Sequence, residues 1–354
     1  MATMYRYQLP VEQTGWTLAG ETQTAFTWEY EDEREKLLAI YDKGKKQQWD
    51  AAVRIDWSQD LDPENPQEID DRLIPIFGSP IWDRLTDKER VHLRRHQQAQ
   101  TLSQFMHGEQ GALMAAARIV QTVPDLDAKF YAATQVMDEA RHVEAYARLL
   151  NEKLGLAYPI TPGLKALLET VLTDRRWDMT YLGMQILIEG LALAAFQRIR
   201  DFAKNRLAAS VNAYVMQDEA RHVAFGRLAL RDYYPQLTDK ERDEREEFVV
   251  EALYFMRDRF NQAEVWMRSG LPVDKLMELA ANSDSMKRFR GRLFSRIVPT
   301  VKDIGLWGPG VQKAFADMGA IEFAEVDAEA MLEDDQRVAA DFDAGRLVQQ
   351  SLAG

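Results

Sequence analysis

Asp138-Glu139-Ala140-Arg141-His142 and Asp218-Glu219-Ala220-Arg221-His222 are the same pentapeptide, repeated 80 positions apart. Each copy has a further glutamate 30 residues before its own: Glu109 before Glu139, and Glu189 before Glu219. On a helix, Glu and His three residues apart share a face. Two such helices facing each other, with one glutamate from each of two partners, gather four carboxylates and two imidazoles around one point. That donor set suits a pair of iron or manganese ions inside a four-helix bundle.

The spacing supports this independently. Val123-Pro124-Asp125 lies midway between Glu109 and Glu139, and proline ends a helix there. A climb of ~13 residues covers roughly 20 Å at about 1.5 Å per residue, and an equal descent returns Glu139 to the level of Glu109. In the second copy the midpoint falls at the polar pair Lys204-Asn205. Both hairpins therefore close at one level. As ordinary surface charges the repeats would need polar flanks. Instead Glu189 sits between Ile186-Leu187-Ile188 and the run from Leu191 to Phe196. Of only five histidines, two belong to the pentapeptides. Converging carboxylates in such a setting need cations to remain ionised.

Outward from the motifs, period-two alternation never persists, so the chain reads as all-α: a ferritin-like four-helix bundle with extra N- and C-terminal helices. Residues 1–84 form an arm and a helix packing on the bundle. Residues 85–270 form the bundle, and residues 271–354 a helical extension with a tail, all within one domain. Residues 1–28 read as irregular, and a first helix is expected from Trp28 to Trp49. Further helices are expected from the Thr86 region to Gln121, Leu126 to Leu154, residues 164–173, Arg176 to Phe202, Leu207 to Tyr233, and from the Thr238 region to Ser269. The tail from Asp327, acidic and rich in small residues, reads as a loose or partner-covering segment.

The 354 residues can bury a large core. No run of eighteen consecutive apolar residues marks a membrane span, and no apolar leader opens the chain. With no cysteine there is no disulfide, iron–sulfur or thiolate chemistry, which fits the cytoplasm. A net charge of −13 argues against nucleic acid as a partner.

Asp138 and Asp218 adjoin the ligand glutamates, and each is expected to orient the histidine of the opposite motif. Arg141 and Arg221 would neutralise them in a buried ion-pair net. Phe105, Leu113, Leu193, Phe196 and Phe225 lie within a turn or two of the ligands and are expected to line a dry substrate pocket. Tyr146, one turn past His142, is either packing with a bonded hydroxyl or a redox-active group.

A glutamate followed by Asp-Glu-x-Arg-His, twice over, resembles the ferritin-like diiron-carboxylate superfamily. It includes monooxygenase hydroxylases, acyl carrier protein desaturases, the ribonucleotide reductase small subunit and p-aminobenzoate N-oxygenase. The resemblance covers residues 85–235. It implies Glu109, Glu139, His142, Glu189, Glu219 and His222 as ligands of two irons, or of a manganese–iron pair, with Glu139 and Glu219 bridging. It also implies reduction of the metal pair and activation of dioxygen as cosubstrate. The arm and the C-terminal extension are similar to p-aminobenzoate N-oxygenase, which carries an extra histidine ligand where this chain has Val215. Tyr146 stands where the reductase subunit places its radical tyrosine, and residues 340–354 would be a docking tail in that reading.

The function expected is oxygenation or oxidation of a small organic substrate by hydroxylation, N-oxygenation or desaturation. The alternative is a radical-generating subunit using Tyr146; iron storage is disfavoured by the apolar surround. Without cysteine there is no built-in rubredoxin-like module, so electrons would come from a separate reductase or ferredoxin-type donor. A homodimer is the default association.

Overall fold

The helix boundaries follow from local signals. In the computed structural model, residues 13–345 are described apart from 21, 22, 29, 31–33 and 259–261. The chain runs α1 (Glu35–Lys46), α2 (Ala51–Arg54), α3 (Asp87–Thr122), α4 (Leu126–Arg148), α5 (Pro162–Thr173), α6 (Trp177–Tyr181), α7 (Glu189–Phe202) and α8 (Arg206–Tyr233). It continues through α9 (Asp239–Asp258), α10 (Ala263–Arg268), α11 (Val273–Asn282), α12 (Asp284–Leu293), α13 (Ile297–Asp303), α14 (Pro309–Asp317) and α15 (Ala328–Asp343). No strand occurs among the described residues. The fold is an all-α, ferritin-like bundle.

Thr86 starts α3 with a capping box: its hydroxyl accepts from the Glu89 N–H, and the Glu89 carboxylate accepts from the Thr86 N–H. Asp125 caps α4 by accepting from Ala128 N–H at 2.8 Å, one residue past Pro124. Asn205 caps α8 by accepting from Ala208 N–H at 3.1 Å. Both hairpin turns thus fall at the midpoints set by the 30-residue intervals. The hairpin α3–α4 and the hairpin α7–α8 pack against each other through α4 and α8. In the second, α6, a widened turn and α7 form one continuous apolar rod, Trp177–Phe202. It is long and apolar enough to cross a membrane, yet 89% of its most apolar window is buried inside the protein.

Several expectations are corrected. The first helix begins at Glu35, not Trp28; Trp28 and Tyr30 are exposed and non-helical. The helix expected to reach Ser269 is described only to Asp258, and α10 restarts after Gln262, whose left-handed backbone (φ 49°) no helix can continue. The tail from Asp327 is not loose: α15 packs on α8 and buries Val338, Ala339 and Phe342. Residues 346–354 of the expected docking tail, and residues 1–12 of the expected arm, lie outside the described residues.

Two stretches widen into π-helical turns, Leu149–Leu154 after the first motif and Leu182–Ile188 just before Glu189. Such turns insert an extra residue into a helix and shift the register of the residues beyond it. The second is gripped by Gly226 of α8, where an added Cβ would lie 2.6 Å from the Gln185 Cβ.

Candidate metal centre

Each element delivers its ligand side chain inward. Glu109 comes from α3, Glu139 and His142 from α4, Glu189 from the start of α7, and Glu219 and His222 from α8; none exceeds 5% exposure. Their donor atoms fall into two groups, each gathered within 4.8 Å: Glu109, Glu139, His142 and Glu219, and Glu139, Glu189, Glu219 and His222. Glu139 and Glu219 belong to both. This overlap would let two cations share two carboxylates.

The imidazoles are oriented from behind. His142 Nε2 lies 3.1 Å from Asp218 Oδ2, and His222 Nε2 lies 3.2 Å from Asp138 Oδ2, so each ring faces the aspartate of the other motif. Their Nδ1 atoms face the carboxylates: His142 Nδ1 is 3.0 Å from Glu219 Oε1, and His222 Nδ1 is 3.1 Å from Glu139 Oε1. Arg141 donates to Asp138 and, at 3.0 Å, to Asp218; Arg221 donates to Asp218 and lies 3.7 Å from Asp138.

The sequence reading missed the polar residues that complete this net. Trp49 Nε1–H donates to Asp218 Oδ2 at 2.7 Å, and Gln48 Nε2–H donates to Asp138 Oδ1 at 2.7 Å. Arg141 donates to Gln48 Oε1 and Arg221 to Gln47 Oε1, each at 2.8 Å. These side chains come just after α1, some 90 or more residues away in sequence, and carry no periodic signal. Gln135 was also missed, although it lies one turn before Glu139. Its amide donates to Glu139 Oε1 at 3.1 Å and to Glu189 Oε1 at 2.9 Å, tying the two hairpins together. Gln185, in the widened turn, donates to Gln135 Oε1 at 3.3 Å.

Electrostatics test whether the residues fit metal. Burial, and then the charge of Glu219, push Glu109 and Glu189 well above the ordinary carboxylate range. Burial alone would lower the histidines, yet surrounding carboxylates hold His142 and His222 well above their usual value. Asp218, though buried, is held well below the usual range by Arg221, His142 and Arg141. Glu139 Oε2, Glu189 Oε2, Glu219 Oε1 and His222 Nδ1 have no hydrogen-bond partner. Orphaned buried acceptors of this kind call for a cation. The oxygen-and-imidazole set, with no thiolate, fits iron or manganese.

A cavity of about 480 Å³ opens on the glutamates, lined by Phe105, Ala112, Leu164, Met184, Ile188 and Phe196 among others, with Glu109, Glu189 and Glu219 at its floor. Of the five pocket residues expected from sequence, Phe105 and Phe196 line it. Leu113 does not: it is partly exposed on the flank of α3, while Ala112 takes the inward position. Leu193 faces a separate cavity with Arg227 and Arg296. Phe225 packs behind the centre on Tyr131 and Tyr181, with ring centroids at 4.3 Å and 5.2 Å. Tyr146 is fully buried, and its hydroxyl donates to Asn212 Oδ1 at 3.0 Å. Val215, on α8 one turn before Glu219, is fully buried and offers no nitrogen at the position of the family's extra histidine.

Bundle and buried cluster together define a class: ferritin-like helical proteins whose core gathers carboxylates and imidazoles able to bind metal. Residues 30–305 match the family model described as P-aminobenzoate N-oxygenase AurF. The chain belongs to this family of ferritin-like diiron oxygenases. No curated protein matches the chain.

Proposed function

We propose that this chain is a non-haem diiron oxidoreductase that uses dioxygen to oxygenate or oxidise a small organic substrate by hydroxylation, N-oxygenation or desaturation. The observation carrying the reading is the overlap of two four-residue donor groups through Glu139 and Glu219, beside an apolar cavity. Glu109 and His142 would hold one ion, Glu189 and His222 the other, and Glu139 and Glu219 both. A bound iron pair supplies the redox chemistry with dioxygen.

The chain's own residues do the rest. Asp138 and Asp218 fix the imidazole rings with Nδ1 inward and Nε2 outward. Gln135 holds Glu139 and Glu189 in register across the hairpins. The apolar walls around Phe105 and Phe196 exclude water from the reacting side. Electrons come from a separate reductase, since the chain has no cysteine to hold an iron–sulfur module.

The radical-subunit alternative would place the oxidising equivalent on Tyr146, whose phenol is fastened to a neutral amide. Metal analysis after loading is expected to give two irons per chain, and the reduced protein should consume dioxygen without a lasting tyrosyl radical. Two irons retained in both His142→Ala and Glu219→Ala would overturn the ligand assignment. A persistent radical signal that vanishes in Tyr146→Phe would move the chain to the alternative.

A further inference from the structure

The cavity on the glutamates has no lysine or arginine in its wall. A second, larger cavity of about 820 Å³ lies directly behind it, and Phe105 and Ala195 line both. The polar side chains of Gln97, Gln98, Thr101, Gln262, Arg94 and Arg198 are part of its lining. The two arginines differ. Arg94 is clamped by Asp71 through two bonds of 2.6 Å and 2.7 Å, so its charge is spent inside the protein. Arg198 has no carboxylate partner among the described residues. Its guanidinium donates to the Leu73 carbonyl at 2.7 Å and lies 4.9 Å over the Phe289 ring. That bond leaves most of its five N–H donors without an acceptor among the described residues.

The buried Arg200, Arg245 and Arg296 are by contrast paired with carboxylates: Arg200 with Asp201 and Asp335, Arg245 with Asp178, Arg296 with Asp335. A guanidinium with spare donors on a cavity wall can take a carboxylate from a ligand. Burial pulls the Arg198 guanidinium down to about 10, with no carboxylate among the described residues to offset it. It remains a cation at neutral pH and loses little hydration on taking an anion.

Helix geometry sets the distance. Arg198 lies nine residues past Glu189 on α7, about 13 Å along the axis at about 1.5 Å per residue. Along α3, Phe105, Thr101 and Gln97 climb from Glu109 in turn-by-turn steps toward the same end.

Resting on the oxygenase reading above, we propose that Arg198 is the carboxylate anchor of an elongated substrate, whose apolar body passes Phe105 to set its far end against Glu109 and Glu189. The planar fork of a guanidinium matches a carboxylate with paired hydrogen bonds. The substrate class is therefore an amphiphilic monocarboxylate with a slender apolar chain.

The test is calorimetric titration of the full-length protein, metal-free and iron-loaded, with hexanoate, octanoate, decanoate and decan-1-ol. Affinity should rise with carboxylate length, and decanoate should bind at least tenfold tighter than decan-1-ol. Arg198→Gln should erase that tenfold preference, Arg198→Lys should retain part of it, and Phe105→Trp should flatten the length dependence. Equal binding of acid and alcohol, or a preference surviving in Arg198→Gln, would overturn the proposal. Loss of the iron pair is a separate readout: an iron count below two with the carboxylate preference intact would sink the diiron reading and leave the anchor standing.

Discussion

Replacing Asp218 with asparagine takes one negative charge out of a sealed net while nearly preserving its shape. In the native net two arginines face two aspartates, and Asp218 also takes the indole N–H of Trp49 at 2.7 Å and faces His142 Nε2 at 3.1 Å. The substituted side chain would still accept from Trp49 through its oxygen. Its amide N–H groups, however, would confront arginine donors. One buried guanidinium then lacks a counter-charge, which costs about 3–5 kcal/mol. Urea unfolding of the metal-free protein at pH 7 should show this loss as a lower midpoint with an unchanged slope. Because Asp218 is held below its ordinary value, its contribution is present at pH above that of a free carboxylate. It fades as pH falls through the depressed value, so parent and variant should converge in acid. Iron should still bind the variant, about 10–100-fold more weakly, because His142 loses its orienting carboxylate. A midpoint within error of the parent would refute the claim that this net is electrostatically balanced.

Gln135→Leu removes the amide that ties Glu139 to Glu189 and should weaken iron binding by about 10–100-fold in a chelator competition, with the helical content unchanged. Gly226→Ala pushes a methyl into Gln185, costing about 1–3 kcal/mol of stability as overpacking, readable by thermal unfolding. Glu109, Glu189, His142 and His222 all bind protons more tightly in the folded metal-free protein. Raised values stabilise below each group's unfolded pKa and are lost as pH climbs through the folded one. The metal-free protein should therefore weaken as pH rises past the ordinary carboxylate and imidazole values. Iron loading should abolish that decline and release protons, measurable by titration in weak buffer.

The hairpins and the convergence of the six candidate ligand residues were legible because covalent spacing alone dictates them. Pro124 and Asn205 mark turns wherever the chain goes next, and Glu-x-x-His shares a face in any helix. The widened turn before Glu189 was not legible, since Leu182 to Ile188 is almost uniformly apolar and gives no phase against which to notice an added residue. Helix α15 was hidden by its alanines and aspartates, although Leu332, Asp335, Val338, Ala339 and Phe342 recur at helical intervals. Gln47, Gln48 and Trp49 escaped because their role depends on where α1 lands on α4 and α8, a matter of long-range packing. Phe225 misled for the opposite reason: a residue three beyond a ligand shares its helix face but can still lie behind it.

The six-residue centre consequently has a front and a back. Its glutamates look into a greasy chamber, while its imidazoles lean on a lattice of alternating charges pinned shut by an indole and two amides from elsewhere in the chain. The apolar side is the one that offers room for a small molecule, while the other side is filled by packed ion pairs.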